Sequence, residues 1–180
     1  MNFCSNCGSD KLEFVIPTGD NRPRMVCGNC QAIHYVNPKI VAGCLPVWGE
    51  QVLLARRAIK PCYGLWNIPS GYLENGETVE EGALREVREE VKADLRLIGL
   101  HALYSIPHIN QVYIHFLGEL PSADGFDCGS ESLEARLFHE SEIPWQDIAF
   151  TSSTFSLKRY FADRKKGVQQ IHLGKLERRK

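Results

Sequence analysis

The chain has 180 residues, 43% of them hydrophobic and 24% charged, with a formal net charge of −1. That length allows one ordinary domain and a small appendage, and the apolar content excludes a disordered chain. The charge balance excludes a global field for nucleic acid, and no apolar run reaches the roughly 18 residues that a membrane helix needs.

The first residues, MNFCSNCGSD, lack a basic segment followed by an apolar one, so no signal peptide is predicted and a cytoplasmic location is expected. Seven cysteines follow along the chain. Cys4 and Cys7 form one C-x2-C pair and Cys27 and Cys30 another, with 19 residues between the pairs. This is zinc-ribbon spacing: two tight turns each offer two thiolates and complete a tetrahedral shell. Four protein ligands leave no open position, so the Zn²⁺ is predicted to be structural. Two disulfides are the alternative, disfavoured in a chain without an export signal. The ribbon is assigned to residues 1–34, with short strands over Lys11–Ile16 and Arg24–Val26. Cys44, Cys62 and Cys128 are expected in core or loops.

Pro38 ends this unit, and a second, larger domain is predicted over 36–166. Lys39–Val47 and Gln51–Arg57 carry a hairpin pattern around Trp48-Gly49-Glu50. A helix is predicted from Thr78, where Thr78-x-x-Glu81 makes a capping box. Val79, Ala83, Leu84, Val87 and Val91 form its apolar stripe. Leu95–Tyr104, Val112–Leu120 and Glu134–Phe138 are predicted strands, and Ser141 begins a short turn before Pro144. Thr154–Lys166 is a predicted helix with Gly167 as C-cap. Residues 167–180 are assigned to a solvated basic tail that ends in Arg178-Arg179-Lys180.

The helix from Thr78 holds most of the chemistry. Glu86, Glu89 and Glu90 share one face at i, i+3 and i+4, where like charges repel. A hard divalent cation, Mg²⁺ or Mn²⁺, is the expected counter-charge. The segment Gly71–Ala93 resembles the Nudix box, Gly-x5-Glu-x7-Arg-Glu-U-x-Glu-Glu-x-Gly-U, through Gly71, Glu77, Arg85, Glu86, Val87, Glu89 and Glu90. Lys92 and Ala93 depart from it, which bears on how the helix ends and not on the ligands. The resemblance implies an α/β fold, a Nudix α/β/α sandwich with a mixed sheet. It also implies hydrolysis of a nucleoside diphosphate linked to another moiety.

By that resemblance, Glu86, Glu89 and Glu90 are metal ligands, Arg85 and Glu77 are their supporting ion pair, and Gly71 allows close backbone approach. A further ligand comes from a loop outside the box; Glu131 is the candidate and Glu134 its rival. The general base is left open among Glu90, Glu131 and a metal-bound hydroxide. Tyr63, Trp66, Tyr104 and His108 are the candidate substrate contacts, each near a predicted loop and able to stack on a base or flavin ring. Core packing is the alternative for Trp66, and a structural role the alternative for His108.

A zinc ribbon before a Nudix domain is similar to the NADH pyrophosphatase subgroup. That subgroup carries Ser-Gln-Pro-Trp-Pro-Phe-Pro-Gln-Ser where this chain has Ser105-Ile106-Pro107-His108-Ile109-Asn110-Gln111. Asn37-Pro38-Lys39, Gly71-Tyr72-Leu73-Glu74 and Glu131-Ser132-Leu133-Glu134 resemble plant chloroplast-type FAD diphosphatases, which implies FAD or ADP-ribose as the dinucleotide substrate. NAD(H) or the NAD cap of an RNA is the alternative substrate. The resemblance also implies a homodimer. A reading of another class is a nucleic-acid-binding or ligand-sensing module without catalysis, against which the complete carboxylate set stands.

Overall fold

Around the two cysteine pairs the chain forms β1 (Leu12–Val15), β2 (Arg24–Cys27) and β3 (Ile33–His34), an antiparallel sheet in the order β1-β2-β3. The computed structural model describes residues 1–177. It divides the chain into two compact units, Met1–Asn37 and Pro38–Lys180. The first unit has almost no apolar core: Phe14, Val15 and Ile16 are exposed, and its buried side chains are Cys4 and Cys27. A unit this small depends on its cross-link.

The second unit contains β4 (Lys39–Trp48), β5 (Gln51–Arg57), β6 (Trp66–Asn67), β7 (Ser70–Tyr72), α1 (Val79–Val91), β8 (Arg96–Ile106), β9 (Gln111–Glu119), β10 (Ser132–Phe138), α2 (Thr151–Lys166) and β11 (His172–Lys175). The main path of its sheet runs β10-β5-β4-β9-β8-β11. It is mixed: β4 lies parallel to β9 and β11 parallel to β8, and the other pairs are antiparallel.

The β4–β5 hairpin is joined only at Val47–Val52 and Trp48–Gln51. Beyond that the two strands diverge, and residues 66–72 fill the gap. β6 pairs with β5 at Ala55 and Arg56, and β7 pairs with β4 from Val41 to Gly43. This crossing carries the chain from one half of the sheet to the other and delivers Gly71 beneath α1.

Strand alternation then sorts the two faces. Ala42, Cys44 and Phe116 pack against Ala83, Val87 and Val91 of α1. Leu45 and Leu117 pack on the other face with Leu157, Tyr160 and Phe161 of α2. The α/β/α sandwich is thus present.

Helix α1 begins at the expected capping box: Glu81 N–H donates to Thr78 Oγ1 (3.2 Å) and Thr78 N–H to Glu81 Oε2 (2.8 Å). It ends at Lys92, which stands where the motif has glycine and adopts a left-handed φ of 49°. Leu84 is only half-buried; Gly82 takes its place on the buried face. Helix α2 starts at Thr151, not Thr154, and its N-cap Phe150 supplies no side-chain cap. The expected tail is corrected more substantially: His172–Lys175 is an edge strand in register with Ala102–Ser105. Arg178-Arg179-Lys180 lie outside the described residues.

Candidate active site

Arg85 is the hub of the carboxylate cluster. Its Nε and Nη2 donate to the two oxygens of Glu77 (3.0 and 2.8 Å), and its Nη1 donates to Glu86 Oε1 (2.7 Å) and Glu89 Oε2 (3.2 Å). The guanidinium holds Glu77 down to about 2, and Glu77 in turn raises the Arg85 pKa further above its ordinary range. A fork of fixed geometry on four carboxylate oxygens orients Glu86 and Glu89 as one group.

Two glycines shape the ligand set. A Cβ on Gly71 would fall on the Glu86 carboxylate, so this backbone approach requires glycine. A Cβ on Gly129 would fall on the main-chain oxygen of Glu89. The 127–131 loop docks there by its backbone: Gly129 N–H donates to Glu90 O and Asp127 N–H to Val91 O, both at 2.9 Å. The last carbonyls of α1 are satisfied by this loop, which leaves Glu131 beside Glu86 and Glu90. Glu134 points elsewhere, with a carboxylate oxygen 3.8 Å from Arg56.

Burial divides the roles of the carboxylates. Glu89 is mostly exposed, whereas Glu90 is 7% exposed. Burial first, then the Glu86 charge, lifts Glu90 to about 8. Burial likewise raises Glu86, with Arg85 opposing the shift. Carboxylates that are desolvated and mutually repelling suit a divalent cation, whose charge relieves both costs. The hard oxygen donors fit Mg²⁺ or Mn²⁺. Glu86, Glu89, Glu90 and Glu131 would hold it.

All four line one cavity of about 670 Å³. Its far wall is apolar, with Ile59, Pro61, Ile106, Ile109 and Phe150. Its floor holds a residue that sequence reasoning missed. Arg57 is 9% exposed, donates through Nε to Pro61 O (3.0 Å), and lies 5.1 Å from the Phe150 ring centroid. Among the described residues no carboxylate lies within 4.0 Å of it. The available signal was the pair Arg56-Arg57, since strand alternation must turn one of two adjacent arginines inward. Thr151, the first residue of α2, also lines the cavity, so the uncapped helix N-terminus opens onto it.

None of the four candidate substrate contacts lines this cavity. Trp66 is core, with its ring edge-on to Phe138 at 4.8 Å. Tyr104 is buried against Phe155 at 5.1 Å. Tyr63 is exposed on a turn, and His108 lines a different depression with Lys175 and Leu176. The neighbours of His108, namely Ile106, Ile109 and Gln111, reach the cavity instead.

In the ribbon, Cys4 and Cys30 Sγ atoms are 3.7 Å apart, as are those of Cys7 and Cys27. All four sulfurs lie within 4.8 Å of one another. A tetrahedral ion with Zn–S bonds of about 2.3 Å sets sulfurs about 3.8 Å apart. Disulfides are excluded by these distances, and the thiolate set fits structural Zn²⁺.

A carboxylate-bearing helix packed under a mixed sheet, with an arginine hub and a glycine against the first ligand, defines a metal-dependent phosphoanhydride site. Residues 37–159 match the NUDIX domain family and residues 2–36 the Nudix N-terminal zinc-ribbon family. The chain belongs to the Nudix hydrolase family. A NUDIX hydrolase from Nitrosomonas europaea, known from its crystal structure, is 48% identical, with a TM-score of 0.93 over 99% of this chain and 100% of that one.

The NAD-capped RNA hydrolase NudC of Stutzerimonas stutzeri is 29% identical over 90% of this chain and 56% of its own length. The NudC of Vibrio parahaemolyticus is 27% identical over 80% and 53%. The chain thus spans about half the length of these curated relatives. The likeness to plant FAD diphosphatases finds no support in these relatives. No helix among the described residues is long and apolar enough to cross a membrane.

Proposed function

We propose that this chain hydrolyses the pyrophosphate of a dinucleotide, with NAD(H) or the NAD cap of an RNA as substrate. The observation that carries the reaction is the Arg85-ordered set of Glu86, Glu89, Glu90 and Glu131 facing one cavity. The substrate rests on the NudC relatives, which align with most of this chain. A divalent cation in the set supplies charge neutralisation and makes water easier to deprotonate.

The chain's own residues do the rest. Burial raises the proton affinity of Glu90; a bound cation would displace its proton, and the ionised carboxylate would then take the proton from the attacking water. Arg57 and the α2 N-terminus hold phosphate oxygens from the opposite side. Ile59, Ile106, Ile109 and Phe150 exclude water and receive an aromatic ring. Water adds across one P–O–P bridge, and two monophosphates leave. The expected homodimer belongs to this proposal and is read by sedimentation of the same preparation.

The test is a substrate panel with Mg²⁺: NADH, NAD-capped RNA, FAD, ADP-ribose and diadenosine polyphosphates, with Glu86→Gln as control. AMP from NADH, or a 5′-monophosphate end from NAD-capped RNA, is expected. Cleavage of FAD alone would replace the substrate and keep the chemistry. No monophosphate from any member, or equal release by the control, would overturn the hydrolase reading itself.

A further inference from the structure

The α2 face of the sheet carries a second cluster that this reaction does not use. His101 on β8, Asp163 on α2 and His172 on β11 each bring one ligand atom to within 4.8 Å of the others. His172 Nε2 donates to Asp163 Oδ2 at 2.8 Å, so a metal ion bound there takes the place of that proton, which passes to Nδ1 of the same ring or to solvent. His101 is fully buried and Asp163 is 7% exposed.

The hydrogen bonds of His101 fix its tautomer. Its Nε2 is 2.9 Å from the main-chain oxygen of Ser156. A carbonyl only accepts, so Nε2 carries the proton and Nδ1 holds a bare lone pair. That Nδ1 is buried and has no hydrogen-bond partner among the described residues. An orphaned buried acceptor costs about 1–3 kcal/mol, and native folds leave few of them. A histidine that gives one ring N–H to a backbone carbonyl and keeps its other nitrogen free, in a cluster with a carboxylate and a second imidazole, is arranged as a metal ligand.

The donor set selects the ion. Two imidazole nitrogens and one carboxylate oxygen suit Zn²⁺, Co²⁺ or Ni²⁺ and not Mg²⁺. With bonds of about 2.0 Å, a tetrahedral ion sets its ligand atoms about 3.3 Å apart. The separation of 2.8 Å for one pair and the limit of 4.8 Å for the rest bracket that spacing. A cavity of about 200 Å³ reaches His101 and Asp163 and leaves room for a water as fourth ligand.

We propose that His101, Asp163 and His172 form a transition-metal site of Zn²⁺ type, separate from the ribbon and from the carboxylate cluster. Its role is a clamp. β11 is a four-residue edge strand beyond the turn at Gly167, and a metal would fasten it to α2 and to β8. The proposal does not depend on the hydrolase reading.

Full-length protein, with the ribbon zinc in place and Mg²⁺ in large excess to occupy the carboxylates, is dialysed against micromolar Zn²⁺. Bound zinc per chain is then measured by elemental analysis. Two zinc ions per chain are expected for the wild type and one for His172→Ala, whose fold is checked by circular dichroism. His172 is at the edge of the sheet, and His172→Gln is the second variant should alanine release the strand. One zinc per chain in the wild type overturns the proposal. So does a second zinc that both folded variants retain, because it would then sit elsewhere. A ¹⁵N imidazole spectrum of the wild type adds a direct readout: zinc must shift His101 Nδ1 and leave its Nε2 proton in place.

Discussion

Replacing Glu90 by Gln separates what this side chain does for the reaction from what it costs the fold. The side chain is 7% exposed, and burial, with the Glu86 charge behind it, lifts its pKa from 4.5 to about 8. The folded state then binds more protons than the unfolded one between those values, so the penalty grows as pH rises through that window. At about 1.4 kcal/mol per pH unit, the penalty at pH 7 is on the order of 3 kcal/mol. Gln keeps an acceptor for the Ser70 N–H and carries no charge. Without Mg²⁺ and with the ribbon zinc retained, Glu90→Gln should be the more stable protein by that amount at pH 7. The gap should close towards pH 4.5, while turnover falls at least a hundredfold. Urea unfolding is followed between pH 5 and 8 by tryptophan fluorescence, since Trp48, Trp66 and Trp145 all lie in the second unit. Taking the difference between the two proteins cancels the titrating groups that do not interact with Glu90, and leaves Glu90 with its neighbours Glu86 and Glu131. A gap that does not change with pH, or a variant less stable than wild type at pH 7, refutes the burial argument. Saturating Mg²⁺ should reverse the order, because the cation binds the native wild type and not its unfolded chain.

Gly71→Ala places a methyl on the Glu86 carboxylate. Turnover should fall about a hundredfold and the Mg²⁺ requirement rise, with circular dichroism unchanged. Gly129→Ala pushes the loop off the end of α1, so kcat/KM should drop about tenfold or more and limited proteolysis should cut within 121–131. Trp66→Ala should lower stability by about 3–5 kcal/mol with KM unchanged in the folded fraction; a raised KM at full stability would return Trp66 to the substrate.

What was legible in the chain was what local chemistry imposes. The capping box of α1, the cysteine spacing and the carboxylate face each depend on residues within one or two turns of one another, and each is present in the structure. What was hidden depends on distant partners. β6 has two residues and shows no periodicity, and it exists because β4 and β5 diverge. β11 reads His-Leu-Gly-Lys and has no apolar signal; pairing with β8 makes it a strand. Aromatic side chains were the least legible of all. Trp66 and Phe150 look alike in sequence, yet one fills the core and the other walls the cavity. Helix α2 starts earlier than expected because its N-cap, Phe150, has no capping atom to mark the terminus in sequence. Thr151 brings that uncapped terminus to the cavity wall, where the proposed function sets it against a phosphate.

Charge balance ties these features to the reaction. Glu77, Glu86, Glu89, Glu90 and Glu131 face two guanidinium groups, Arg85 and Arg57. Glu77 is neutralised by Arg85 within the hub, and a proton on Glu90 removes a further charge at neutral pH. Glu86, Glu89 and Glu131 then stand against Arg57, with Glu74 and Lys60 of the same cavity offsetting each other, an excess of two negative charges. One divalent cation cancels that excess in the substrate-free site. A pyrophosphate brings at least two more negative charges, which Arg57 and the α2 N-terminus meet only in part. On the proposed reaction a further cation carried by the substrate would supply the remaining positive charge, on the solvent side where Glu89 and Glu131 are exposed. The burial gradient from Glu90 to Glu89 therefore does two things at once. On the proposed reaction its inner end would raise the proton affinity of Glu90, and its outer end would leave Glu89 and Glu131 open to exchange of a cation with solvent.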